Sequence, residues 1–166
     1  MKLVNELFGS RIQSSEDKTT ASRLITAETE IGSPLHLVQT RVKIDRFTGG
    51  SYPTALFNEQ PVWGKQDTTI TVKLTIQQPT RVQIGLVLLL LKDLWTGDLP
   101  LGGESSVGRG RLQGRQATLT LKGREKKTWV LTQRADGGLV FDGKGRPEEL
   151  EGYVTAFHEY KGGEDA

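Results

Sequence analysis

The chain has no cysteine among its 166 residues, and it has only two histidines, His36 and His158. Without cysteine it can form neither a disulfide framework nor a thiolate metal site, so a reducing, cytoplasmic setting is expected. The longest apolar run, residues 84–91, is far shorter than the roughly 20 residues that cross a bilayer, and no signal-like segment is recognisable. These absences predict a protein that is neither secreted nor membrane-spanning. We also expect no metal and no cofactor.

The composition is that of a soluble globular protein, with 35% apolar and 25% charged residues. A chain of this length suits one core of ordinary size. We therefore expect a single domain over residues 1–166.

Charge is unevenly distributed although the net charge is only +2. Residues 109–134 carry eight cations and one acid, Glu125, a local charge of +7, whereas residues 136–166 carry eight acids and three cations. A basic stretch on a nearly neutral chain is typical of a phosphate-backbone binder, although two solvated faces would also explain it.

Local patterns predict a mixture of strands and helices without βαβ regularity, which indicates the α+β class. The alternation of residues 70–76 predicts a strand with one buried face, and Thr80 with Gln83 predicts a capping box. The other predicted elements are a strand near residues 23–25, a strand from Val38 to Ile44 and a turn over 45–50, a return strand over 52–63, a helix buried on most sides that ends at Gly97, a strand over 117–121, a hairpin around Asp136-Gly137-Gly138 and a closing helix that begins at Pro147.

A loop of five glycines and several arginines, LPLGGESSVGRGRLQGR, spans residues 99–115. Its Gly103–Gly108 spacing is that of a nucleotide P-loop, but Arg109-Gly110 follows where that motif needs Lys and then Ser or Thr. A dinucleotide fingerprint fails as well, because the glycine spacing is one residue too long and the loop follows a helix. Backbone amides unhindered by large side chains, beside serines and arginines, can instead cradle phosphates without any catalytic group.

Three motifs in the same order resemble the RAMP superfamily of CRISPR-associated proteins. Leu-Phe-Gly-Ser at residues 7–10 is similar to a turn of that family, and residues 41–50 with 55–57 and 59–62 resemble the segment that forms the β-hairpin thumb in type III backbone subunits. The loop from Leu101 to Leu112 is similar to the family's glycine-rich loop, with Glu104 in place of a basic residue, Val107 in place of arginine and Arg109 in place of an aromatic residue.

The resemblance implies a modified ferredoxin-like, RRM-like core with a thumb over residues 35–66, a glycine-rich loop over 98–115 and an acidic C-terminal hairpin and helix over 136–166. Family members coat a CRISPR RNA in a filament and kink it with their thumbs. Phe47 would stack on bases or pack in a core or against a neighbouring subunit, and Asp45 is expected to brace the hairpin by an ion pair with Arg46 or Arg41. The expected RNA-binding residues are Gly102, Gly103, Ser105, Ser106, Gly108, Arg109, Gly110, Arg111, Lys43, Arg46, Phe47 and Thr48.

The family's opening strand and helix, and the loop aspartate that cuts target RNA, have no counterpart in this sequence. We therefore expect a structural subunit, or half-subunit, of a type III-like CRISPR ribonucleoprotein. Its partners would be CRISPR RNA, target RNA, other RAMP subunits and a chain that supplies the missing half, and it would carry no catalytic residue. Two alternatives stay open: an assembly module that touches no RNA, and a metal-independent endoribonuclease that uses His36 as a general base.

Overall fold

The computed structural model describes residues 2–10, 19–65, 68–136 and 138–161. Helices and small antiparallel sheets alternate along the chain, which confirms the α+β class. In order, the elements are α1 (Lys2–Phe8), β1 (Leu24–Thr26), β2 (Leu35–His36), β3 (Gln39–Ile44), β4 (Ser51–Glu59), β5 (Val62–Trp63), β6 (Leu74–Ile76), α2 (Arg81–Thr96), a 3-10 turn (Ser105–Val107), β7 (Gln116–Lys122), β8 (Lys126–Gln133), β9 (Leu139–Gly143) and α3 (Pro147–His158).

The chain divides into two compact units. The first unit combines Met1–Arg23 with Ile76–Ala166 and holds all three helices and the sheet β7-β8-β9. The second unit, Leu24–Thr75, holds the β3-β4 hairpin and the β2-β5 pair. The single domain expected over residues 1–166 stays a prediction.

Helix α2 begins with the predicted capping box. The Gln83 N–H donates to the Thr80 hydroxyl at 3.3 Å, and the Gln83 side chain accepts from the Thr80 N–H at 3.1 Å. The helix ends, as predicted, at Gly97, which adopts the left-handed conformation that terminates helices. Local sequence chemistry therefore sets both ends of this helix.

The expectation that α2 is buried on most sides is wrong. Its leucines are half-buried, and the buried helix positions are Gln83 and Gly85. The reason lies in how α3 packs: a Cβ on Gly85 would stand 2.1 Å from the Tyr153 carbonyl oxygen, so the glycine lets the two backbones approach closely along one side. A single helix of this size covers one face of α2 and leaves the others partly open.

The sheet β7-β8-β9 is antiparallel and confirms the predicted strand over 117–121 and the predicted hairpin. Gln133 pairs with Leu139 across the turn, of which Gly137 lies outside the described residues. Alternate residues of β7 face inward, towards the side on which Trp129 is buried. The Trp129 indole N–H donates to the Arg146 carbonyl at 3.0 Å, so this side chain joins the sheet to the start of α3, where Pro147 stands at the predicted position.

The strand predicted over residues 70–76 is shorter than its alternation suggests. Only Leu74–Ile76 forms β6, paired with the three residues of β1, and Val72 is exposed where the pattern places it inside. Pairing fades because β1 is too short to continue the ladder: beyond it the Ala27 N–H donates to the Lys73 carbonyl at 3.1 Å, and the Thr29 hydroxyl donates to the Thr71 carbonyl. A strand is stable only where a neighbouring strand pairs with it, and the alternating pattern does not show how long that neighbour is.

The predicted hairpin over the thumb segment is present in the second unit. β3 and β4 pair from Gln39 opposite Glu59 to Val42 opposite Leu56, after which the register shifts so that Ile44 faces Ser51. Below the hairpin, Leu35 pairs with Trp63 and His36 with Val62. Both hairpin faces are largely exposed in the described chain.

Candidate nucleic-acid interface

The glycine-rich loop is closed at its base by one backbone contact and one glycine. The Leu101 N–H donates to the Gly110 carbonyl at 2.9 Å. Gly110 has a φ of +74°, and a Cβ there would stand 2.0 Å from the Leu101 carbonyl oxygen. Only glycine fits such a position, so the loop geometry depends on Gly110.

Within the loop, the amides divide into two groups. Those of Val107, Gly108 and Arg109 donate to loop carbonyls at 3.1, 3.0 and 3.4 Å. In the part of the chain that the structure describes, the amides of Gly102, Gly103, Ser105 and Ser106 donate to no protein group, and all four residues are exposed. Exposed N–H groups with no internal partner are able to bind an anion.

The two arginines expected to bind phosphates are both engaged by other groups of the protein. The Arg109 guanidinium forms an ion pair with Glu104, and the Arg111 guanidinium donates to the Gly97 carbonyl at 2.6 Å, at the end of α2. The sequence carried a signal for the first contact, because Glu104 stands where the resembled family has a basic residue. Arg111 therefore helps to hold the loop against the helix.

The tip of the β3-β4 hairpin is built around Asp45. Its carboxylate accepts from the Phe47 N–H at 2.7 Å and from the Thr48 N–H at 3.4 Å, while its own N–H donates to the Gly50 carbonyl at 2.8 Å. The expected ion pair of Asp45 with Arg46 or Arg41 is wrong, because Arg41 Nε instead lies 3.1 Å from Glu59 Oε2. Aspartate fits this position as a turn residue whose carboxylate satisfies backbone amides.

This tip presents Phe47 with 97% of its surface exposed. The reading of Phe47 as a core residue is therefore wrong, whereas stacking on a base or on a neighbouring subunit stays open. Thr48 accepts from the Gly50 N–H at 3.3 Å, and in the described chain Arg46 makes no side-chain hydrogen bond or ion pair. An aromatic ring and a cation thus stand side by side in solvent.

One contact near the tip was missed by sequence reasoning. The Lys43 ammonium lies 5.3 Å from the centroid of the Tyr52 ring, a cation–π distance. Tyr52 falls where the register shifts, next to Pro53 and to Thr54 with a φ of +60°. A simple alternation pattern does not predict that Tyr52 lies next to Lys43, because the irregular part of β4 places Tyr52 there.

The basic stretch is partly neutralised by the acidic C-terminal segment. Lys127 Nζ lies 2.6 Å from Glu149 Oε1, and this hydrogen bond raises the pKa of Lys127 although partial desolvation opposes the shift. This ion pair links the basic stretch to the acidic C-terminal segment.

The alternative endoribonuclease of the sequence analysis would use His36. His36 is exposed on β2 opposite Val62, and among the described residues no three His, Asp or Glu side chains come together to hold a metal ion. An open cavity of about 490 Å³ lies between the end of α2 and the glycine loop, lined among others by Trp95, Arg111 and Gln133.

In the described chain no helix is both long and apolar enough to span a membrane.

The fold and loop define a class: an α+β protein with a glycine-rich loop after its long helix and an exposed hairpin tip. The family model of the RAMP superfamily matches residues 1–113, which include α1, the hairpin, α2 and the glycine-rich loop up to Gln113. The chain belongs to the RAMP superfamily, which confirms the resemblance carried by its three motifs and implies a ferredoxin-like core and a CRISPR-associated, RNA-binding role in general. No curated protein matches the sequence.

Proposed function

We propose that this chain is a guide-RNA-binding structural subunit of a type III-like CRISPR ribonucleoprotein. The observation that carries the proposal is the glycine-rich loop, whose exposed amides at Gly102, Gly103, Ser105 and Ser106 have no partner in the described chain. Backbone N–H groups bind phosphate oxygens without reading sequence, so base pairing to the guide would supply specificity.

In this account the hairpin acts as the thumb. Phe47, Arg46 and Lys43 would meet the RNA at the point where its backbone bends, the ring stacking on an unstacked base and the cations near phosphates. Gly108, Gly110 and the Arg109–Glu104 pair would shape the loop rather than contact every phosphate.

The substitution Gly103→Val tests the loop. In the described chain a Cβ at Gly103 meets nothing within 4 Å, and its φ lies outside the left-handed region, so the variant is expected to fold. Its side chain would crowd the neighbouring amides, and we expect single-stranded RNA to bind about tenfold more weakly, since hydrogen bonds to charged groups each contribute about 1.5–3 kcal/mol.

Gly32→Val is the matched control, because Gly32 is equally open and equally unrestrained in φ but lies in the second unit outside the loop. RNA titrations of both variants by fluorescence anisotropy are the measurement. Equal affinities for Gly103→Val and Gly32→Val would contradict a role for the loop amides.

A second test concerns the ion pair inside the loop. Glu104→Gln removes an anion and releases Arg109, so RNA affinity should rise about threefold and the dependence of log affinity on log salt should steepen by about 0.7, one phosphate contact on a single strand. A purely structural Arg109–Glu104 pair predicts the opposite, a lower melting temperature with unchanged or weaker RNA binding. Titrations at several salt concentrations, with a thermal melt of each sample, separate the two.

The alternative of an assembly module is favoured by one observation, the exposed apolar side chains of the second unit. Leu35, Leu37, Val38 and Val62 stand in solvent beside the β2-β5 pair. We propose that other RAMP subunits cover them in the assembled particle, which is compatible with RNA binding elsewhere. A nuclease role for His36 predicts that the wild-type chain cleaves RNA and that the His36→Ala variant does not.

A further inference from the structure

The turn between β7 and β8 gathers three cations at one point. Lys122 and Lys126 face each other as the last pair of the ladder, and Arg124 lies in the turn between them. All three residues are exposed. They also lie beyond residues 1–113, the segment matched by the family model, so family membership assigns them no role.

Three of the other cations of the basic stretch are held by protein groups. Arg109, Arg111 and Lys127 are held by Glu104, by the Gly97 carbonyl and by Glu149. The side chains of Lys122, Arg124 and Lys126 make no hydrogen bond or ion pair with any described residue. Glu125 is the one acid in the turn, so this tip keeps a net positive charge.

Like charges that face each other across an antiparallel pair destabilise a hairpin. The Lys122–Lys126 pair therefore opposes folding, and Glu125 is the one negative charge in the turn set against its three cations. A polyanion placed over the tip would relieve that repulsion, because one phosphate could be approached by both ammonium groups.

The outward face of the same two strands continues the tip with hydroxyl groups. The pairs Thr120–Thr128, Thr118–Val130 and Gln116–Thr132 follow Lys122–Lys126 along that face. Hydroxyls and amides bind phosphate and ribose oxygens, and successive outward residues of a strand stand about 6.8 Å apart. The face of these two strands carries no aromatic residue, so it suits a nucleic-acid backbone rather than stacked bases.

On the neighbouring strand β9, Asp142 shares this face, opposite Val130. Its carboxylate accepts from the Gly143 N–H at 2.6 Å and lies beside the valine rather than the lysines. The positive end of the face is thus the β7-β8 tip.

We propose that the β7-β8 tip and the outward face behind it form a second site for the backbone of single-stranded RNA, separate from the glycine-rich loop. The identity of the polyanion rests on the proposed function, whereas the location rests on these strands alone. Lys122, Arg124 and Lys126 supply the charge, and the threonine hydroxyls continue the contact along the strands.

The test replaces all three cations, Lys122→Gln, Arg124→Gln and Lys126→Gln. The control variant removes the same charge elsewhere, Lys73→Gln, Lys92→Gln and Lys161→Gln, at exposed positions outside the thumb, the glycine-rich loop and the tip. The probe is a fluorescently labelled oligouridylate of about 20 nucleotides, titrated from about 50 to 200 mM salt.

We expect the tip variant to lower the log–log salt slope by about 2, since each phosphate contact on a single strand contributes about 0.7, and to weaken binding roughly 10- to 100-fold at low salt. Its melting temperature should be unchanged or higher, because lysine repulsion is removed. A salt slope equal to that of the control variant would overturn the proposal. A parallel titration uses poly-glutamate as a model of an acidic protein. A tip variant that loses poly-glutamate binding but still binds RNA normally would assign the tip to an acidic protein and would also overturn the proposal.

Gly103→Val in the same assay separates the two proposals. Weaker binding by Gly103→Val with normal binding by the tip variant would leave the loop function standing and refute the second site. The reverse pattern would support the tip and refute the loop. A wild-type chain that binds no RNA refutes both.

Discussion

Trp129→Ala should destabilise the first unit by about 3–5 kcal/mol, which is the usual cost of truncating a buried tryptophan. Trp129 is 1% exposed, its indole N–H donates to the Arg146 carbonyl, and a Cβ at Gly145 would stand 2.0 Å from the indole ring. Such close packing leaves little room for collapse around the cavity. At about 2–4 °C per kcal/mol, the melting temperature should fall by roughly 6–20 °C.

The matched control is Trp63→Ala, in which the tryptophan is 41% exposed and belongs to the second unit. All three described helices belong to the first unit, so the helical circular dichroism signal reports mainly on that unit. If the helical signal of Trp129→Ala melts at the same temperature as that of Trp63→Ala, Trp129 does not belong to the core of the first unit.

Phe47→Ala should weaken RNA binding by about 1–3 kcal/mol, the range for loss of one base-stacking aromatic residue, and leave thermal unfolding unchanged. The physical reason is that Phe47 is 97% exposed and its truncation removes no internal packing. Anisotropy titrations report the affinity, which should fall between about 5-fold and 150-fold.

Leu56→Ala is the control for that experiment. Leu56 is 71% exposed on the same hairpin but offers no ring for a base to stack on. If both variants lose the same affinity, the hairpin contributes general hydrophobic contact and the stacking role of Phe47 is wrong. If neither loses affinity, the hairpin tip does not contact RNA.

Elements encoded by neighbouring residues could be predicted from the sequence. The capping box at Thr80 and Gln83, the helix end at Gly97 and the β8-β9 hairpin all depend on residues within a few positions of each other. Capping and turn chemistry act over that range, so the pattern alone was sufficient.

Features that depend on distant partners could not be predicted in the same way. The strand over residues 70–76 shortened because β1 offers only three residues to pair with, and the α2 leucines stayed half-buried because Gly85 brings α3 to one side. Asp45 satisfies backbone amides rather than an arginine because Arg41 reaches Glu59 across the strands. Alternation and charge do not encode these long-range choices.

The candidate site was located in part. Sequence motifs identified the superfamily, the glycine-rich loop and the hairpin, but they did not show that Arg109 and Arg111 are engaged within the protein. They also did not distinguish the free cations of the β7-β8 tip within the basic stretch. Only the strand register brings Lys122 and Lys126 face to face.

The central claim is that this chain holds an RNA backbone without reading its sequence. Its most direct test is the affinity of the wild-type chain for two unrelated single-stranded RNAs across a range of salt concentrations. The account predicts similar affinities for both RNAs, a log–log salt slope steeper than about −2, which corresponds to at least three phosphate contacts, and RNA recovered intact. Affinity that differs strongly between the two sequences, that does not depend on salt or that is absent altogether would contradict it.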